Sequence, residues 1–321
     1  MENCFNGYKN NGTESLGVVK LEEKLGLYQV CKSYKTPIIQ NFSLSAKEGE
    51  IIGLIGENGV GETTLMKLIL GLSFVDSGQI LLNHVPLDKR KALTEKVAGL
   101  IEQPCLYYKM SGRDNLSIYQ SFYNEVDLDW TKYLLKVMNM EQALSMKVKA
   151  YSLGMKQKLG LIMALSVKPS IVVLDEPFNS LDPVSVAVVR KELKEYAVTN
   201  HAVVLISSHI LPEIENMCDT YVFMLHHGKY KMLTHEEIKQ QQEKQIQYYL
   251  NLSASNQKVI RLMNECGIEY TPCESGIKFE GQREKLYSVL QWIEREGYDI
   301  IELSKSKRTL EDIFFDFRGE V

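Results

Sequence analysis

The chain has 321 residues, 45% of them hydrophobic, which suits one large domain plus a smaller one with a sizeable core. A net charge of -4 and a pI near 6.0 leave no overall basic footprint, which argues against nucleic acid as a partner. No uninterrupted apolar run approaches the ~20 residues that span a bilayer, so membrane contact is expected only through partners.

The opening MENCFNGYKNNGTES lacks the charged-then-apolar pattern of a secretion signal, and a cytoplasmic chain is expected. Residues 1–24 are polar and read as a flexible extension. The six cysteines, Cys4, Cys31, Cys105, Cys218, Cys266 and Cys273, form no C-x-x-C pair, so neither a zinc knuckle nor a disulfide framework is indicated. From Gly26 the pattern turns strand-like in LGLYQVCKSY, IIQNFSLSA and EIIGLIG. The run Ile51 to Ile55 is apolar at every position, as in a parallel strand buried on both faces. TTLMKLILGL follows as a helix with Gly71 near its end.

Residues 104–150 read as helical segments of mixed polarity, followed by the helix MKQKLGLIMALS. Two more buried strands, SIVVLDEP and HAVVLISSH, flank the helix VSVAVVRKELKEYAV. Such alternation predicts an α/β fold, a parallel sheet with crossover helices, into which a helical subdomain near 104–165 is inserted. The charged, Gln-rich THEEIKQQQEKQ reads as a connecting helix or linker. Beyond it, QIQYYLNLS, GIKFEG and IIELS read as strands, and NQKVIRLMNECG, REKLYSVLQWIEREGY and TLEDIFFDF as helices. The expected organisation is therefore an extension over 1–24, a main domain over 25–234 and a small α+β unit over 235–321.

Two motifs carry chemistry. GENGVGETT, residues 56–64, nearly fits the phosphate-loop pattern G-x-x-x-x-G-K-[ST] between a strand and a helix. Gly56, Gly59 and Gly61 let backbone N–H groups approach a phosphate, with Asn58 and Thr64 in the same turn, and Thr63 offers a hydroxyl to Mg²⁺. Glu62 stands where the pattern has lysine. In IVVLDEP an apolar strand ends in the adjacent carboxylates Asp175 and Glu176, suited to holding Mg²⁺ and polarising an attacking water.

The order of GENGVGET, SLGMKQ, LDEP, NSLDP and the SSH of residues 207–209 resembles the ATP-binding subunit of ABC transporters over about residues 25–230. SLGMKQ departs from the family consensus LSGGQ but is similar to a variant of drug and antibiotic exporters. The resemblance implies a P-loop ATPase that binds ATP and Mg²⁺ and forms a head-to-tail dimer with a second ATPase subunit. It implies separate transmembrane permease subunits as partners, with the chain peripheral on the inner face of the membrane. By position, Glu176 matches the general base, Asp175 the metal-holding aspartate and His209 the histidine that senses the γ-phosphate. Ser152 and Gly154 match the signature residues that contact ATP on the other subunit, Asp182 the aspartate of the adjoining loop, and Tyr34 the aromatic on adenine.

In LIEQPCLYYKM, Gln103 is the direct candidate for the glutamine that contacts Mg²⁺ and water. Alignment on Pro104 and Tyr107 favours Glu102 instead, as in the subgroup that protects bacteria against bacitracin-like and lantibiotic peptides. Glu102 keeps an oxygen for the metal and loses the amide donor. This similarity, with SLGMKQ and the tail TLEDIFFDF, makes export of, or immunity to, peptide antibiotics the expected role.

Glu62 removes the lysine's attraction for phosphate and adds repulsion. One unit pair at 4 Å is worth ~4 kcal/mol at an effective dielectric near ~20, so a two-unit swing predicts impaired hydrolysis. Two origins stay open: a lesion in a working ATPase, or a naturally degenerate regulatory subunit that binds but does not hydrolyse ATP. The retained Glu176 and His209 favour the first.

Overall fold

The computed structural model describes residues 23–87, 97–123, 125–244, 246–253, 256–265, 267–273, 276–281 and 283–319. All but the last two residues of the extension expected over 1–24 lie outside the described residues.

β1 (Glu23–Ser33) and β2 (Pro37–Lys47) form an antiparallel hairpin, and β4 (Ser77–Leu82) and β5 (Val85–Pro86) complete a sheet in the order β2-β1-β4-β5. A second sheet runs β10-β9-β3-β8-β7-β6, from β3 (Ile51–Gly56), β6 (Val97–Leu100), β7 (Ile171–Asp175), β8 (Val203–Ser207), β9 (Thr220–Met224) and β10 (Tyr230–Thr234). Its strands are parallel except β10, which pairs antiparallel with β9. The fold is the expected α/β arrangement around a parallel sheet.

The apolar runs are continuous because both faces of this sheet are covered, and alternate residues enter different cores. Ile51 and Ile55 of β3, Val172 and Leu174 of β7, and Val204 and Ile206 of β8 face the core built with the helices of residues 112–199. Ile52 and Leu54, Ile171 and Val173, and Val203 and Leu205 face the core shared with the hairpin sheet and α1 (Glu62–Ile69). On the first side lie α2 (Gly112–Gln120), α3 (Leu128–Val137), α4 (Leu153–Ser166) and α5 (Pro183–Thr199). Ser111 and Asp114 close a capping box at α2, and the Asp127 carboxylate caps α3.

After the short α6 (Leu211–Ile214) and α7 (His235–Lys244), a third sheet runs β12-β13-β11-β14. It joins β11 (Ile246–Leu252), β12 (Tyr270–Pro272), β13 (Ile277–Glu280) and β14 (Ile300–Lys307), all antiparallel. With α8 (Asn256–Glu265) and α9 (Arg283–Glu296) it encloses its own core, which includes Tyr248, Leu250, Leu262, Phe279 and Val289. The last helix, α10 (Leu310–Gly319), does not join that core: Leu310, Ile313, Phe314 and Phe317 are buried in the main one. Ile238 of α7 is buried there too.

Candidate functional site

The carboxyl ends of β3, β8 and β7 lie side by side, and the loops that leave them form the site. β3 ends at Gly56, and α1 begins at Glu62 with no side chain capping its N-terminus. Its first N–H groups are thus left to point at an anion. Gly61 sits at φ +118°, and a β-carbon there would lie 2.7 Å from Ile38 Cγ2, so this turn requires glycine. Asn58 and Gly59 are exposed at the tip, and Thr64 is half-buried in the first turn of α1.

Asp175 is 5% exposed and closes β7. Its Oδ2 accepts from the Thr63 hydroxyl at 3.0 Å, and its Oδ1 accepts from the Ser207 hydroxyl at 2.6 Å. Ser207 ends the strand between β3 and β7, and its Oγ also accepts the Glu176 N–H at 3.0 Å. Glu176 stands at φ +49°, a conformation that non-glycine residues adopt rarely and at some cost. Its Oε1 accepts the His209 N–H at 3.0 Å and lies 2.7 Å from His209 Nδ1. Thr63, Asp175, Ser207, Glu176 and His209 therefore form one continuous network.

Glu62 joins this network electrostatically. Burial, then the negative charges of Glu176 and Asp175, push its carboxyl up to about 8, against one opposing hydrogen bond from the Gly56 backbone. At neutral pH the side chain is mostly protonated. The charge at the lysine position is therefore closer to zero than to minus one, which roughly halves the two-unit swing anticipated from sequence.

Glu102 is exposed at φ +57° and pairs with Lys67 Nζ of α1 at 3.0 Å; the neighbouring Gln103 is also exposed. Ser152 is the N-cap of α4, accepting the Met155 N–H at 3.2 Å. Gly154 lies under the loop before α5, where a β-carbon would come within 2.6 Å of the Ser180 carbonyl oxygen. Asp182 caps α5, accepting the Ser185 N–H at 3.0 Å and its hydroxyl at 2.6 Å, and that hydroxyl bond leads in holding its carboxyl low. Among the described residues no hydrogen bond or ion pair joins Ser152, Gly154 or Asp182 to the Thr63–His209 network. Tyr34 is 62% exposed between β1 and β2, with Lys32 Nζ 5.4 Å from its ring centre.

Three contributors were not singled out from sequence. Gln157, buried on α4, donates to the carbonyls of Glu176 and Pro177 at 3.2 Å each, and so ties the SLGMKQ helix to the base loop. Ser207 and Lys67 are the others. Gln157 lies in SLGMKQ and Ser207 in SSH, but nothing in their spacing marks what they bind.

Among the described residues no three His, Cys, Asp or Glu side chains are arranged to hold a metal unaided. The Thr63 hydroxyl and Asp175 carboxylate supply hard oxygen donors beside the phosphate loop, which fits Mg²⁺ completing its shell with water and phosphate oxygens.

The family described as ABC transporter matches residues 39–179. The bacitracin transport ATP-binding protein BcrA of Bacillus licheniformis is 29% identical over 94% of this chain and 97% of its own length. The lantibiotic transport ATP-binding protein SrtF of Streptococcus pyogenes is 32% identical over 64% of this chain and 88% of its own. A solved ATP-binding subunit of an ABC transporter superposes with a TM-score of 0.62 at 28% identity, over 68% of this chain and 92% of that one.

Proposed function

The chain belongs to the ABC transporter family of ATP-binding subunits, and from that premise we propose that it couples ATP binding to export of, or immunity to, peptide antibiotics. The observation that carries the ATP chemistry is the network from Thr63 through Asp175 and Ser207 to Glu176 and His209. The N–H groups of residues 59–64 hold the phosphates, and Asn58 lies at the mouth of the loop. Thr63, Asp175 and Glu102 serve Mg²⁺, which when bound offsets charge on the phosphates. Glu176, oriented by His209, takes a proton from the attacking water, and Tyr34 stacks on the base.

Ser152, Gly154 and Asp182 stand apart from this network, as expected if they complete the ATP site of a second subunit in a head-to-tail dimer. No helix among the described residues is long and apolar enough to cross a membrane. In this reading transport runs through separate permease subunits, against which this chain works from the inner face. Residues 25–234 would form the ATPase unit and residues 235–321 the accessory one, with α10 seated on the ATPase core.

The peptide-antibiotic reading is supported by the end-to-end match to BcrA and by Glu102. Deletion of the encoding gene should sensitise cells to at least one bacitracin-like or lantibiotic peptide, and the chain should co-purify with a polytopic membrane protein. Unchanged sensitivity across such a panel, with transport of a non-peptide cargo, overturns this reading.

Glu62 supports a second reading, a nucleotide-binding regulator that does not hydrolyse. A mostly neutral carboxyl leaves the phosphate loop without its cation, and hydrolysis in this chain should be slow. ATP binding without turnover even after Glu62→Lys, in the presence of the membrane partner, would favour the regulator.

A further inference from the structure

The last helix returns from the small sheet to the flank of the phosphate loop. A capping box starts it: the Thr309 N–H donates to Asp312 Oδ2 at 2.7 Å, and the Asp312 N–H donates to Thr309 Oγ1 at 3.2 Å. Leu310, Ile313, Phe314 and Phe317 then recur with helical spacing and are buried in the main core. Phe223 of β9 meets the rings of Phe314 and Phe317 at centroid distances of 6.0 and 5.1 Å. One residue further, the Arg318 guanidinium pairs with Oε1 of Glu57, the residue that follows Gly56 in the phosphate loop. The other oxygen of Glu57 meets His226 Nε2, on the turn between β9 and β10, at 2.6 Å. A cavity of about 390 Å³ lies between these groups, lined by Glu57, Val60, His226, Phe314 and Arg318 among others.

We propose that Arg318 is a positioning residue for ATP binding: by holding Glu57 it keeps the phosphate loop in its binding shape and links that shape to the seating of the last helix. This rests on the ATP-binding reading above. Gly59 and Gly61 both lie at positive φ, so the loop has wide conformational freedom when unrestrained. Glu57 anchors its upstream end to two elements at once, β9–β10 through His226 and α10 through Arg318. Ordering the loop before the ligand arrives removes part of the cost of binding. The pair is part-exposed, at 43% for Arg318 and 29% for Glu57, so its contribution is modest. Only Arg308 and Thr309 separate α10 from β14, so the helix that carries this contact is the one by which the chain leaves the small sheet.

The test uses the full chain carrying Glu62→Lys, titrated calorimetrically with a slowly hydrolysed ATP analogue and Mg²⁺. Arg318→Ala should raise Kd about three- to fivefold, and Arg318→Glu, which sets two carboxylates against each other, about tenfold. Arg318→Lys, which keeps the charge, should stay within about twofold of the parent. In a Glu57→Gln background Arg318→Glu should change Kd by less than about twofold, because the repelling partner is gone. A merely structural helix, or a long-range field effect, gives the same fold-change in both backgrounds and overturns the proposal. So does an unchanged Kd for Arg318→Glu. If the Glu62→Lys chain itself binds no analogue, the ATP-binding reading fails, and this one with it.

Discussion

Replacing Glu62 by lysine changes the charge at the start of α1 by a little more than one unit, because the carboxyl, pushed up to about 8, is already mostly protonated near neutral pH. The ceiling on the gain is ~4 kcal/mol for one unit pair at 4 Å and an effective dielectric of ~20. Side-chain freedom and Mg²⁺ reduce it, and about 2–3 kcal/mol is a fair expectation in the transition state, where charge on the phosphates is most tightly held. Glu62→Lys should therefore raise Mg²⁺-dependent hydrolysis about 30- to 160-fold, measured as phosphate release from the full chain with its membrane partner. Glu62→Gln supplies the neutral control and should stay as slow as the parent. The two should part company in ATP affinity: between about pH 7 and about pH 9 the parent ionises and binds more weakly, whereas Glu62→Gln does not change. A Glu62→Lys rate within about threefold of the parent, or a parent affinity as flat with pH as that of Glu62→Gln, refutes the reasoning.

In the Glu62→Lys protein, Glu176→Gln should abolish turnover while leaving ATP affinity within about threefold, since the base acts on water rather than on nucleotide recognition. Single-turnover phosphate release and calorimetry separate the two effects. Glu102→Gln in the unsubstituted chain should restore little hydrolysis and cost less than about 1 kcal/mol of stability, because its partner Lys67 is a part-exposed cation at 3.0 Å; urea unfolding measures this. Glu62 also sets a pH trend in folding. Its folded-state pKa is raised from 4.5 to about 8, so its contribution is fully present below the unfolded value and is lost as pH rises through the folded one. Relative to Glu62→Gln, the parent should lose up to about 1.4 kcal/mol of unfolding free energy per pH unit across that window. Parallel denaturation midpoints for the two proteins would contradict the raised pKa of this carboxyl.

The long or fully apolar segments were legible in the sequence because one physical signal dominated each. Ile51–Gly56, Ile171–Asp175 and Val203–Ser207 are buried on both faces of a parallel sheet, and nothing else explains such runs beside glycine and paired acids. Val97–Leu100 and Ser77–Leu82 carry no such signal in the sequence. The first is four residues long, and the second has exposed Ser77, Gly78 and Gln79 at its start, so neither carries a period of its own. Thr220–Met224 and Tyr230–Thr234 were missed in the same way, since they gain their strand character from pairing with β3 and with each other. At the site, the residue types that hold phosphate, metal and water could be named from motif order. The raised pKa of Glu62 could not, because it depends on desolvation and on the charges of Glu176 and Asp175 that the fold brings near. Nor could the contact of Arg318 with Glu57, two residues near opposite ends of the described chain.

The third sheet enters and leaves at one point. Ile246, where the chain arrives from α7, pairs directly with Lys307, where it departs toward α10, so their Cα atoms sit about 5 Å apart, as in any antiparallel pair. That is the geometry of an insertion: a unit with its own core spliced into a host through adjacent ends. A two-residue reverse turn is enough to bridge such a gap. Because the ends of the unit are adjacent, α7 and α10 stay neighbours in the chain path, and joining them behind the small sheet unthreads no strand of the other two sheets.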